Sequence, residues 1–228
     1  METILWSEES DAYTNRAIDL LGIDKLALED QNWIESFNQK IQKFSINPFS
    51  FCDIGCAYGS VLNSISKKYK DGCFIGVDPG VNSIEIAKKN SNHKDVKFFV
   101  GHSHNLPVED KSIDVVILRM VLQWIPRSKI IQTIGEVDRI LKDNGVIYLQ
   151  DFFPNRPISS ISSHNNEVFI FKDDYSKFFT NFPWYKELER EVSLFKEGED
   201  QQRYVSILRK YPISEVYLEK KGVHEKKL

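Results

Sequence analysis

Phe51-Cys52-Asp53-Ile54-Gly55-Cys56-Ala57-Tyr58-Gly59-Ser60 reads as a hydrophobic strand that runs into a glycine-containing turn and then into a helix with Val61, Leu62, Ile65 and Tyr69 on one face. Glycine has no side chain and tolerates positive φ, so such a turn lets backbone and ligand approach closely. Beyond it, Phe74-Ile75-Gly76-Val77-Asp78-Pro79-Gly80 ends a second apolar run on a carboxylate. An acid at that place can accept two hydrogen bonds from a ribose diol, as it does in nucleotide-binding α/β folds. Glycine spacing discriminates between cofactors. The dinucleotide fingerprint wants small residues where this chain has Gly55, Ala57 and Ser60, a poor match. A G-x-G-x-G turn instead takes Gly55, Ala57 and Gly59, with Asp53 ahead of the first glycine, and departs only at Ala57.

Working outward, short runs rich in Val, Ile and Phe alternate with helical segments from Phe49 to Asp151, the signature of a parallel sheet wound by crossovers. Strands are expected at Phe49 to Ile54, Cys73 to Val77, Val96 to Val100, Ile113 to Leu118 and Gly145 to Asp151. A helix carrying Ile130, Ile134, Val137 and Leu141 on one face precedes the last of these and closes at Asn144-Gly145. Before the sheet, residues up to about 46 predict two amphipathic helices interrupted by Gly22. After it, the loop Phe152 to Asn166 should cover something, and a helix around Tyr175 to Phe182 follows. Leu188 to Phe195 and Arg203 to Arg209 read as an antiparallel hairpin that ends the sheet.

Composition narrows the function. With 228 residues, one large domain is expected, big enough to need neither disulfides nor a structural metal. Lys+Arg 30 against Asp+Glu 33 leaves no basic excess for capturing nucleic acid or an anionic membrane, so neither is expected as a partner. The first residues lack a basic segment followed by an apolar one, which predicts no secretory signal and a cytoplasmic address. Cys52, Cys56 and Cys73 never fall as C-x-x-C and read as small hydrophobes or loop thiols. His102 and His104 have no carboxylate close in sequence, so no metal is expected.

Taken in order, D-I-G-C-A-Y-G, G-V-D-P, G-H-S-H-N-L-P at Gly101 to Pro107 and the run from Ile113 to Pro126 resemble a class I S-adenosylmethionine-dependent methyltransferase over residues 48 to 151. The resemblance implies a Rossmann-like α/β fold, a seven-stranded mostly parallel sheet with helices on both faces. Residues 1–47 would form an N-terminal helical cap, 48–151 the cofactor-binding core, 152–212 the covering loop, helix and last strands, and 213–228 a tail. It further implies that the turn holding Gly55, Cys56, Ala57 and Gly59, preceded by Asp53, takes the methionine part of S-adenosylmethionine. Asp78 and Pro79 would take the ribose, and His102, Ser103 and His104 would border the adenine. Leu118, Arg119 and Met120 would floor the sulfonium. Two positions depart from the family: Ala57 replaces a glycine, and His102 stands where many relatives carry an aspartate.

Leu122-Gln123-Trp124-Ile125-Pro126 and Asp151-Phe152-Phe153-Pro154 resemble bacterial small-molecule methyltransferases, and no Asn-Pro-Pro-Tyr motif for methylating base amino groups occurs. The segment His164 to Phe182 resembles a branch associated with glycan and natural-product chemistry. The expected acceptor is therefore an oxygen of a sugar or related metabolite, with the protein a monomer or homodimer. A hydroxyl acceptor needs a base, for which His164, His104 and Asp151 are the candidates. His164 has a bland alternative as a loop histidine, and Arg119, which could contact the cofactor carboxylate or an acidic substrate, has one as a member of a structural ion pair. Trp124 reads more as core than as a substrate platform, and Trp6 and Tyr13, in a helix that folds over the cofactor in relatives, read equally as core packing. Two other functions stay open: a non-catalytic binder of the same cofactor, and an NAD-dependent oxidoreductase or epimerase, whose Tyr-x-x-x-Lys pair is absent from its expected place.

Overall fold

Five short apolar runs joined by helices have one economical solution, a parallel sheet covered on both sides. A computed structural model describes residues 2–91, 93–162, 165–194 and 202–217. The strands β1 (Ser50–Ile54), β2 (Cys73–Asp78), β3 (Val96–Val100), β4 (Ile113–Arg119) and β5 (Leu141–Phe152) are parallel, and β9 (Gln202–Lys210) and β8 (Tyr185–Leu194) complete the sheet. The order is β3-β2-β1-β4-β5-β9-β8, with β9 antiparallel to both of its neighbours. Crossovers run through α2 (Ser60–Lys68), α3 (Val81–Asn90) and α4 (Ile130–Ile140).

Successive side chains of a strand point to opposite faces, and this sorts the interior into two cores. Phe51, Phe74, Val115, Ile117, Val146, Tyr148 and Ile207 meet α2, α3 and the C-terminal part of α1 (Glu2–Lys43). Cys52, Ile54, Val116, Leu118, Ile147, Leu149 and Tyr204 meet α4 and the short α5 (Lys177–Thr180). Each fully buried apolar side chain contributes about 1.5–3 kcal/mol, so both faces are held strongly.

The N-terminal region departs from expectation. One helix, α1, runs through Gly22 instead of two. An interior glycine costs about 1 kcal/mol relative to alanine. The packing of Trp33 and Phe37 on Tyr148, with ring centroids 5.1 and 5.3 Å away, exceeds that cost. The helix also repairs another one. Gly80 gives α3 no side-chain cap, and Asp11 of α1 instead accepts from the backbone N–H groups of Ser83 (2.8 Å) and Asn82 (3.2 Å).

Three further differences follow from tertiary pairing. Helix α4 stops at Ile140, and Leu141 already pairs with Ile113. The covering segment contains a two-stranded hairpin, β6 (Ile158–Ile161) with β7 (Phe169–Lys172), where a loop is expected. Arg127 pins it: the guanidinium lies 4.5 Å from the Phe171 ring centroid and donates to the carbonyls of Leu122 and Ile125. Residues 213–216, expected as tail, form one helical turn, α6 (Ile213–Val216). No described helix is long and apolar enough to cross a membrane.

Candidate functional site

Strand alternation decides which residues can meet a ligand. On the α1 side of the sheet the parity of Phe51 continues to Asp53, and that of Phe74 to Asp78. Likewise Ile117 leads to Arg119, Tyr148 to Gln150 and Phe152, and Ile207 back to Arg203. All six line one cavity of about 510 Å³ at the C-terminal ends of the parallel strands, where open α/β sheets bind ligands. Trp6, Ser10 and Tyr13 of α1 line it too, and Trp124, Pro126 and Ile170 complete its other side.

The turn after β1 is built for close approach. Gly55 and Gly59 both have φ of 77°, and a Cβ on Gly59 would stand 2.6 Å from the Phe98 ring. Ala57 also has positive φ, 46°, and so adopts the glycine-like conformation that its methyl group disfavours by about 1–2 kcal/mol. What holds it there is Asp78, whose Oδ2 accepts from the Ala57 N–H at 2.9 Å. Asp78 Oδ1 accepts from the Gly80 N–H (2.8 Å) and from the Ser10 hydroxyl. Burial pushes the Asp78 carboxyl up, and these three hydrogen bonds oppose the shift. The Cys56 thiol is pushed well up by burial and is no nucleophile. Pro79 lines the cavity, and its carbonyl accepts from Ser7 at 2.7 Å.

At the end of β3, His102 and His104 stack with centroids 5.3 Å apart, and both line the cavity. The Ser103 hydroxyl turns to Thr133 of α4 at 2.9 Å. Burial, then His102 and Lys129, pull the His104 pKa down against Glu136, which keeps the ring neutral, the form a base requires. Met120 follows β4 with φ of 56°, its N–H donating to Gln150 O at 2.7 Å.

Two expected residues lie elsewhere. Leu118 is fully buried on the α4 side, so Arg119 and Met120 line the cavity without it. Asp151 shares that parity: it is fully buried, outside the cavity lining, and accepts from the N–H groups of Phe152 (2.8 Å) and Gln123 (3.3 Å). Burial pushes its pKa up to about 7, against those backbone donors. It serves as a cap for the turn after β4 and is not placed to reach an acceptor. His164 lies outside the described residues. Of the two candidate bases among the described residues, His104 is the one that faces the cavity.

Sequence reading missed Ser10, Arg16, Gln123, Gln150 and Arg203, all of which line the cavity. Arg16 pairs with Glu9 at 2.7 Å. Gln123 Oε1 and Gln150 Oε1 are buried with no hydrogen-bond partner among the described residues. A glycine cradle too tight for a Cβ and an acid at its rim together suit an adenosyl amino acid.

A family model described as a methyltransferase domain matches residues 52–149. The putative methyltransferase 235L of Invertebrate iridescent virus 6 is 24% identical over 181 residues, covering 76% of this chain and 62% of the relative. Malonyl-acyl-carrier-protein O-methyltransferase 1 of Coxiella burnetii is 26% identical over 140 residues, covering 61% of this chain and 45% of the relative. The chain thus spans less than two thirds of the length of these curated relatives. The crystal structure of the N-methyltransferase NodS from Bradyrhizobium japonicum, in complex with S-adenosyl-l-homocysteine, shares the fold with a TM-score of 0.64 at 13% identity, covering 88% of this chain and 98% of that one. Fold, site and family match agree: the chain carries a class I S-adenosylmethionine-dependent methyltransferase domain, with S-adenosylmethionine as its cofactor.

Proposed function

We propose that this chain methylates an oxygen of a small molecule, a sugar or related metabolite, which enters beside the cofactor on the side lined by Trp124, Phe152, Ile170 and Arg203. One observation carries the reading: the glycine turn, Asp78 and this second wall belong to the same cavity. Bound S-adenosylmethionine supplies a methyl carbon on a positively charged sulfur, open to in-line displacement. The chain's share is alignment and exclusion of water. In this reading Gly55 to Gly59 hold the methionine part, Asp78 accepts from the ribose, and His102 and His104 flank the adenine. Arg119 and Met120 border the reacting end. The relatives named as O- and N-methyltransferases support a small acceptor.

Titration with S-adenosylhomocysteine, followed by incubation with methyl-labelled S-adenosylmethionine and a panel of hydroxylated metabolites, tests the proposal. Binding of the nucleoside and labelled ether products are expected. A chain that binds no S-adenosylhomocysteine defeats it.

A further inference from the structure

Arg127 does not line the cavity, although Trp124, Ile125 and Pro126 just before it do. Its guanidinium donates from one terminal nitrogen to the Leu122 carbonyl at 3.0 Å and to the Ile125 carbonyl at 2.7 Å. With the opposite polarity, Asp151 accepts from the Gln123 N–H at 3.3 Å. The turn after β4, which has no neighbouring strand to pair with, is thus held through its carbonyls by a cation and through its amides by a carboxyl group. Arg127 also opposes the upward shift of the Asp151 pKa, so the two side chains feel one another across the turn.

The same guanidinium lies over two rings, 4.5 Å from the Phe171 centroid and 5.4 Å from that of Tyr175. The Tyr175 hydroxyl donates to the Phe171 carbonyl, so β7 is gripped at this one residue through both ring and backbone. A planar guanidinium can donate in its plane while it stacks through its face; a lysine offers the donors without the plane. Side chains alternate along a strand. With Phe171 held by Arg127, its neighbour Ile170 turns the other way and lines the cavity, as Trp124 does from the turn. We propose that Arg127 is a positioning residue for the methyl acceptor: it locks the turn that carries Trp124 to the hairpin that carries Ile170, and so fixes the width of the acceptor's side of the cavity. This rests on the methyl-transfer reading above and adds to it a residue outside the cavity lining.

The test uses the full chain saturated with S-adenosylhomocysteine and reads amide hydrogen exchange together with thiol labelling. Arg127→Gln should speed exchange about tenfold in the turn, residues 121–126, and equally in the hairpin, residues 158–162 and 165–172, with β1 and β2 unchanged. Phe171→Leu should speed the hairpin alone. Arg127→Lys keeps the donors and loses the planar stack, so it should return the turn to within about twofold of the parent and leave the hairpin fast. For the cavity itself, iodoacetamide is the probe. In an Ile170→Cys background, alkylation of the introduced thiol, measured against the exposed Cys73 of the same chain, should rise about fivefold when Arg127→Gln is added. An unchanged labelling ratio overturns the proposal, as does faster exchange in the hairpin without the turn or throughout the sheet. A loss of S-adenosylhomocysteine affinity of about tenfold in Arg127→Gln also overturns it, by placing the residue at the cofactor. Phe171→Leu and Arg127→Lys keep the comparison decisive if Arg127→Gln misfolds. Failure of the unmutated chain to bind S-adenosylhomocysteine strikes the methyl-transfer reading instead, and shows before any variant is made.

Discussion

At one end of the cavity the backbone makes the site: Gly55, Ala57 and Gly59 bend within five residues, and a single carboxylate, Asp78, locks the bend through the Ala57 N–H. At the other end Arg119, Gln123, Gln150 and Arg203 reach in from β4, the turn after it, β5 and β9, and the loss of any one leaves the others in place. The first end is a local conformation and responds as a unit. The second is an assembly of long side chains on a rigid sheet and should respond piecemeal. That contrast suits a cofactor that stays the same beside an acceptor that varies between relatives.

The contrast breaks most visibly at Asp78. Replacing it with alanine strips the turn, Gly80 and Ser10 of one shared acceptor. S-adenosylhomocysteine affinity should fall about 100-fold, with about 3 kcal/mol of stability lost. Calorimetry and denaturant unfolding measure the two, and wild-type affinity in this variant would end the idea that the acid grips the nucleoside. Gly59→Ala should cost about 2–3 kcal/mol, since it combines positive φ with a Cβ pressed against Phe98 and Ala87. An unfolding midpoint like that of the parent would show that the turn gives way.

On the face of β5 turned away from the cavity, pH is the probe. Asp151 has a folded pKa raised to about 7, so its protonated form is the one the fold prefers. Its contribution is present below an unfolded carboxyl's usual range and is lost as pH rises towards 7. Asp151→Asn escapes that loss. Its unfolding free energy relative to the parent should improve by roughly 1 kcal/mol between pH 5 and pH 6; parallel pH profiles would contradict the buried titration. The smallest effect belongs to Ala57→Gly, where relief of positive φ is partly cancelled by the freedom glycine adds to the unfolded chain. A gain of about 0.5 kcal/mol is expected in thermal unfolding, and a loss would mean that Ala57 is not strained.

How much was legible in the sequence follows the same division. The turn and Asp78 lie within one βαβ stretch, where glycine positions and strand period are local signals, so the family and the strands up to β5 could be read directly. Leu118 and Asp151 were misplaced by one residue of parity. Arg119 and Gln150, their neighbours, carry the register that faces α1, and the alternation from Ile117 and Tyr148 was the signal that would have chosen them. Arg203 had no local signal, because it reaches the site only through antiparallel pairing of β9 with β5. The single helix through Gly22 and the β6–β7 hairpin depend likewise on partners distant in sequence, Tyr148 for one and Arg127 for the other.

One contact couples filling of the cavity to the freedom of the N-terminal helix. Asp78 presents about four lone pairs, and three already face Ser10, Gly80 and Ala57. A diol that takes both oxygens must evict the Ser10 hydroxyl, because the other two donors are fixed backbone. Arrival of the nucleoside then removes one tie of α1, while Ser7 on the Pro79 carbonyl, Asp11 on α3 and Thr14 on Ser83 still hold it.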